Sequence, residues 1–289
     1  MKKIFFGTII ILTTCILHAQ DVRFGIRGGM NMTSMSTVES TPLSEGYNSR
    51  IAASWNIFTE LQYNPRVAFR FGVEYSGLGG KKSGIQAVPT QRLITEMGNS
   101  IGMGVTDDQL AALGALMMAL PPFYYANVDN IAKLQYVMIP VTAQFGWNIG
   151  QTSPWRFYVN AGPFVSFILA GKQLGKGTSN MYYDATGTTT LWDALPMPIQ
   201  GFVANEFPNI SKTLGDPVVF GETNTTGEMK SANFGVTGNI GIRYKFNGNY
   251  LFMEVGGNYG LLTVQDDDSN GSNRLGAVSV MVGYAISLF

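Results

Sequence analysis

The chain has 289 residues, with 19 basic and 19 acidic side chains and a charged fraction of 13%, about half the 25% or so that a soluble domain carries. The balanced charge argues against nucleic acid as a partner. Beyond residue 20 no stretch reaches the roughly 18 apolar residues of a membrane helix, which excludes a helical membrane protein.

Residues 1–19 read as a secretory signal: Lys2 and Lys3 precede an apolar core over 4–17, and Ala19 offers a small residue for cleavage before Gln20. A lipobox reading, with Cys15 of LTTC acylated, is the rival, and the bulk of Thr14 counts against it. The segment holds the only cysteine, Cys15, and the only histidine, His18. Its removal would exclude disulfides, thiolate nucleophiles, His-based triads and Cys/His zinc sites.

After the signal, eight segments alternate with period 2, as strands do when their two faces meet different surroundings. Val22, Phe24, Ile26 and Met30 alternate with Arg23, Arg27 and Asn31. Ala53, Trp55, Ile57 and Leu61 oppose Ser54, Asn56 and Glu60, and Phe69, Phe71, Val73 and Tyr75 oppose Arg70 and Glu74. A long connection follows over about 81–130. Within it Thr106 and Gln109 have capping-box spacing, and Asp107 and Asp108 favour a helix N-terminus. The helix over 110–120, which includes Leu110, Leu113, Leu116 and Met117, is apolar on every side, unlike a free surface helix. It reads either as a partner-docking or membrane-surface element, or as a cover packed under the next long loop.

Val137, Ile139, Val141, Phe145 and Trp147 form the next outer face, followed by Trp155, Phe157, Val159, Val165 and Phe167 opposite Arg156 and Asn160. The connection over 172–230 contains Tyr182, Tyr183, Asp184, Trp192, Asp193, Glu206, Phe207, Asp216 and Glu222, a mixture suited to ligand or partner binding. Carboxylates beside aromatics could also serve sugar hydrolysis, but nothing fixes their spacing. Residues 231–246 split most cleanly, with Phe234, Val236, Ile240 and Ile242 against Asn233, Thr237 and Arg243. Leu251, Met253 and Val255 oppose Glu254. The connection 265–273 places Asp266, Asp268 and Asn270 at the spacing of half a calcium loop, but position 12 is Ala277 where the chelating Glu belongs. The site would be weak, and a solvated polar hairpin is the competing reading; no other cofactor is expected. Val278, Val280, Val282, Tyr284 and Ile286 close the pattern.

Three features choose between a soluble sandwich and a membrane barrel. Connections alternate between short (near 64–65, 148–154 and 247–249) and long (33–50, 81–130, 172–230 and 265–273), the layout of an outer-membrane barrel with both termini in the periplasm. Aromatics (Tyr63, Phe69, Trp147, Trp155, Phe157, Tyr244, Phe246 and Phe289) gather where short turns meet the apolar face, as an interfacial girdle does. A signal without a membrane helix leaves the chain free to close as a barrel, which satisfies every backbone hydrogen bond in lipid. The expectation is therefore an all-β, eight-stranded, antiparallel, up-and-down transmembrane barrel in the bacterial outer membrane, in contact with outer-membrane lipid and the barrel-assembly machinery. Its narrow lumen is expected to be filled by an ion-pair network of Arg27, Glu60, Arg70, Glu74, Arg156, Arg243 and Glu254.

The strings FGIRGGMNMT, FGVEYSGLGGKKSG, LQYVMIPVTAQFGW, WRFYVNAGPFVSFILAGK and GAVSVMVGYAISLF resemble the PorT-like outer-membrane β-barrels of Bacteroidetes. That resemblance implies an eight-stranded barrel with periplasmic termini and brings no catalytic residues. Where the family often has Glu before and Lys after the proline of the fourth strand, this chain has Met138 and Gln144 around Pro140. The aromatic insertion signal is also displaced: Phe289 is out of phase with the outward residues, which leaves Leu288 as the alternative. The function expected is non-enzymatic, with the barrel anchoring long outer loops for a protein or surface-ligand partner; Leu110, Leu113, Leu116, Met117, Tyr182 and Trp192 are the candidate contacts. The alternatives are a small-solute channel, widened if a hairpin over 181–192 enters the barrel, and a subunit of a secretion or uptake complex.

Overall fold

The computed structural model describes residues 21–100, 106–267 and 272–288. Residues 1–19, which read as a signal, and Asp268, Asn270 and Phe289 lie outside them. Eight long strands form the body: β1 (Asp21–Glu39), β2 (Arg50–Gln62), β3 (Val67–Lys82), β6 (Asp129–Asn148), β7 (Trp155–Lys176), β11 (Ala232–Phe246), β12 (Asn249–Gly260) and β13 (Ser272–Ser287). Each pairs antiparallel with the next, and β13 pairs with β1, so the ring is closed.

Paired residues traced once around the ring run from Val22 through Leu61, Phe69, Ala143, Ala161, Gly238, Gly257 and Val278 to Met32. The path returns to β1 ten residues along, a stagger that sets a strand tilt of about 40°. No helix among the described residues is long and apolar enough to cross a membrane.

Burial follows the sequence alternation with inside and outside exchanged relative to a soluble protein. Ile26, Trp55, Ile240, Met253 and Val282 stand exposed on the outer wall, while Arg27, Glu60, Arg70 and Glu254 are buried within. The short turns are tight. Asn247 and Gly248 both have positive φ (48° and 83°), as a two-residue type I′ hairpin requires. Above this rim, Trp155, Tyr244, Phe246 and Tyr284 form a chain of ring contacts, and Trp147 stacks on Phe157.

The long-loop side departs from the expected boundaries. β1 continues to Glu39, β3 to Lys82 and β7 to Lys176, and β6 begins at Asp129. Backbone pairing persists there after the apolar outer face has ended, so alternation alone stops short of the strand ends. The remaining elements belong to the loops. The second long connection carries β4 (Ile85–Pro89), α1 (Thr90–Ser100), α2 (Asp107–Ala119) and β5 (Phe123–Asn127); the third carries β8 (Thr178–Ser179), α3 (Met197–Glu206), α4 (Pro208–Gly215), β9 (Val218–Val219) and β10 (Glu222–Asn224). The hairpin over 181–192 that the channel alternative would need does not enter the ring. Tyr182 instead bridges Tyr125 and Thr190 outside the barrel wall.

Candidate functional site

Two features of the molecule go beyond what a membrane wall needs, and the first is the lumen. Glu60 on β2 accepts hydrogen bonds from Arg23 Nη1 (2.6 Å), Arg243 Nη1 (2.8 Å) and Arg70 Nη2 (3.1 Å). Glu254 on β12 accepts from Arg70 Nη1 (2.5 Å), the Tyr158 hydroxyl (2.7 Å) and Arg27. Arg27 also donates to Glu74 at 2.7 Å. Arg70 thus joins a carboxylate on the neighbouring strand, Glu60, to one across the barrel, Glu254, and residues far apart in sequence meet because closure brings β3 across from β12. Gln144, at the position where the resembled family often has Lys, accepts from Arg70 Nη2 at 3.1 Å; Met138 packs into an apolar layer nearer the long loops.

Arg156 departs from the expected network. It shares the lumen face but has no carboxylate partner among the described residues; its Nη2 donates to the Gly146 carbonyl at 3.3 Å, and across the strand pair it faces Arg243. The network also includes residues that the charge pattern did not single out. The Arg70 guanidinium lies 4.4 Å from the Phe58 ring centre, Arg243 4.5 Å from Tyr158, and Arg23 4.4 Å from Tyr250. Phe58, Tyr158 and Phe252 each lie over an inward glycine on the paired strand: a Cβ at Gly25, Gly241 or Gly283 would fall within 2.4 Å of the ring. A period-2 reading with an aromatic registered against a glycine is the signal that could have found them.

Among the described residues, buried side chains fill the lumen around the ion pairs. The void beside Arg27, Asn56 and Arg70 is about 10 Å³, room for one water. Toward the long loops, Met35, Leu78, Leu134, Tyr136, Phe164 and Leu275 form an apolar plug.

The second feature is a cap built from the long connections. Leu93 and Leu116 from the second loop, and Leu191, Val203, Ile210 and Leu214 from the third, share one hydrophobic core. α2 begins with the expected capping box, Thr106 with Gln109. It packs on α3 through buried Ala112 and Leu116, leaves Leu113 half-buried, and exposes Leu110, Met117 and Met118. Of the two readings of this helix, the geometry fits the cover beneath the third loop. Tyr182 is half-buried with its backbone paired to β5, and Trp192 packs against the cap core, so neither is a free aromatic. A cavity of about 80 Å³ separates cap from plug, lined by Met35, Tyr47, Lys82, Gln86, Asn130 and Gln265 among others.

The loop carboxylates do not converge on one site. Asp184 accepts from the Thr186 hydroxyl and from the amides of Thr186, Thr188 and Thr189, which hold its carboxyl well below the usual range. Asp193 binds Thr190, and Glu222 pairs with Lys172 at 2.6 Å, which lowers its pKa in the same way. Asp266 is exposed, with its amide bonded to the Glu228 carbonyl, and the other two candidate calcium ligands lie outside the described residues. Among the described residues no group of three acidic, histidine or cysteine side chains is placed to hold a metal ion.

A family model for the outer membrane protein beta-barrel domain matches residues 18–265. The chain belongs to this family. It is an outer-membrane β-barrel protein of the bacterial envelope. Among solved structures it is similar to Neisserial surface protein A (12% identity, 90% of this chain and 95% of that one, TM-score 0.34). OprG from Pseudomonas aeruginosa (9%, 94% and 97%, 0.36) and a major outer membrane protein of Thermus thermophilus (11%, 92% and 99%, 0.39) are similar as well. No curated protein matches the sequence.

Proposed function

We propose that this barrel is a non-enzymatic, non-conducting anchor whose long-loop cap binds a protein or surface ligand, with the short turns and both ends of the barrel facing the periplasm. One contrast carries the reading: the lumen is blocked by ion pairs, rings and an apolar plug, while the loops build a hydrophobic core of their own. Loops that only connected strands would not need that core, and exposed loops on a rigid scaffold are where binding residues gather. Within the family we place the chain with the PorT-like barrels, on the strand strings quoted above and on the lumen residues Arg27, Glu74 and Glu254.

Two measurements test this reading. In planar bilayers the purified protein should give no conductance steps; regular steps would turn the assignment toward solute transport. In mild detergent, a partner captured by the full chain should be lost when residues 85–127 are replaced by a short linker. Retention of the same partner by the shortened chain would overturn the cap as the binding element. Co-purification of other outer-membrane proteins would mark it as a subunit of a larger complex.

A further inference from the structure

The cavity between cap and plug is where all four long connections meet. Tyr47 comes from the first, Gln86 from the second, Thr225 from the third and Gln265 from the fourth, while Lys82 on β3 and Asn130 on β6 bring strand ends into the same wall. Its volume of about 80 Å³ would take roughly six waters, the space of one ring sugar. The cavity is partly open to solvent, and Tyr47, Lys82 and Gln173 on its lining are themselves only partly buried.

The lining has two characters. Met35, Leu134 and Met229 supply apolar surface beside the Tyr47 ring. Gly80 makes room for part of it, since a Cβ there would come within 3.1 Å of Tyr47 and 3.2 Å of the Met35 sulfur. Gln86, Asn130 and Gln265 supply amides, each less than a tenth exposed. Gln86 donates Nε2 to the Val128 carbonyl, and its Oε1 accepts from no described residue. Gln265 accepts the Asn273 amide through Oε1 at 2.9 Å, and its Nε2 donates to none of them. Neither end of the Asn130 amide has a partner among the described residues. The three side chains therefore offer one acceptor, one donor and one of each.

The charges in the lining are Lys82 and Glu228, one of each sign. Both are engaged within the protein, Lys82 with the Pro42 carbonyl at 3.1 Å. What the cavity offers is neutral hydrogen bonding next to apolar surface. Water would satisfy the amides but not the methionine and leucine surface beside them. A molecule with hydroxyls on its edge and C–H groups on its face matches both, with a few polar groups fixing its orientation.

We propose that this cavity binds a single neutral sugar ring, its hydroxyls meeting the amides of Gln86, Asn130 and Gln265 and its C–H face resting on Tyr47 and the apolar surface beside it. The same chemistry serves a free monosaccharide and the end unit of a glycan. The site lies beneath the cap and does not depend on whether the outer surface of the cap takes a partner.

The test uses the full chain in nanodiscs of zwitterionic lipid, with D-glucose, D-galactose, N-acetyl-D-glucosamine and maltotriose as probes and glycine and acetate as charged controls. The readouts are ligand-observed saturation-transfer NMR and the side-chain amide signals of the protein. At least one sugar should bind saturably, with a Kd on the order of 1 mM, and shift the Asn130 amide signal, identified by its absence in Asn130→Leu. Asn130→Leu should weaken binding at least tenfold. Ala132→Phe, which fills the cavity without removing a polar group, should abolish it. Both variants should keep the circular dichroism of the parent, and Gln265→Leu replaces either one that does not. Binding of monosaccharides alone supports the site and assigns free sugars; equal or tighter binding of maltotriose supports it and assigns the end of a glycan. No saturable binding of any of the four sugars overturns the proposal. So does sugar binding that survives Ala132→Phe, which places it elsewhere, and so does glycine or acetate binding in preference to the sugars. Capture of a partner by the cap, or its failure, changes none of these outcomes.

Discussion

Glu254 and Leu116 are both fully buried, yet the first lies among arginines inside the barrel and the second among the aliphatic side chains of the cap. The interior of the cap follows the rule of water-soluble domains and is apolar, although Leu110, Met117 and Met118 stay exposed on its surface. The lumen reverses it, because the barrel wall spends its apolar face on lipid and only the opposite face of each strand remains to fill the middle. One chain therefore contains two cores whose polarity is set by what lies beyond their walls. The lumen is held by few, strong, directional contacts, and the cap by many weak ones.

The largest expected effect breaks the lumen side of this comparison. Glu254→Gln leaves Arg27 and Arg70 buried with one carboxylate fewer, and should cost about 3–5 kcal/mol, measured by urea unfolding in lipid vesicles; a change within experimental error would mean that the network is not holding the barrel. On the outer wall, Ile240→Arg places a charge in lipid and should cost on the order of 2–4 kcal/mol. Thr237→Arg, on the inward face, should instead act through crowding beside the Gly257 carbonyl that Thr237 now bonds. If both variants stay stable and soluble in plain buffer without lipid or detergent, the membrane assignment fails. In the cap, Leu116→Ala should loosen the local core by about 2 kcal/mol, read as faster hydrogen exchange across α2 and α3 with the barrel strands unchanged. A matching loss of protection in the strands would show one cooperative unit where two are described.

The smallest effect concerns pH. Asp184 titrates below its unfolded value of about 4, held down first by the Thr186 hydroxyl and then by the Thr189 amide. Its contribution to the 184–189 turn is thus fully present above that unfolded value and disappears only as pH falls through the lower folded one. The Thr189 amide signal should hold its position from neutral pH down past 4; a transition centred near 4 would contradict the turn.

The barrel could be read in the sequence because every strand obeys one period over its membrane-crossing part, and the charged face of that period named the lumen residues. Three things could not be read. Partners such as Arg70 and Glu254, 184 residues apart, follow from ring closure and stagger, which no single segment encodes. The lumen rings Phe58 and Phe252 are in phase with Glu60 and Glu254, but the room for them inside comes from pairing with Gly25 and Gly283, which depends on the register between strands. The cap was legible only in fragments: the capping box of α2 is local, but the seat of Leu116 depends on Leu191, Val203 and Leu214 from another loop. The period puts Arg156 on the inward face, but its contact with the Gly146 carbonyl in place of a carboxylate depends on the register of β6 and β7.

β6 and β7 contain 20 and 22 residues, although about 10 are enough to traverse the hydrocarbon. At a rise of about 3.3 Å per residue and a slant of about 40°, the roughly 8 residues beyond the outward apolar run lift the cap roughly 20 Å above the apolar band. The hairpin acts as a mast, so whatever docks at its top can do so without touching the bilayer. Changes to that upper structure need not disturb the foundation below.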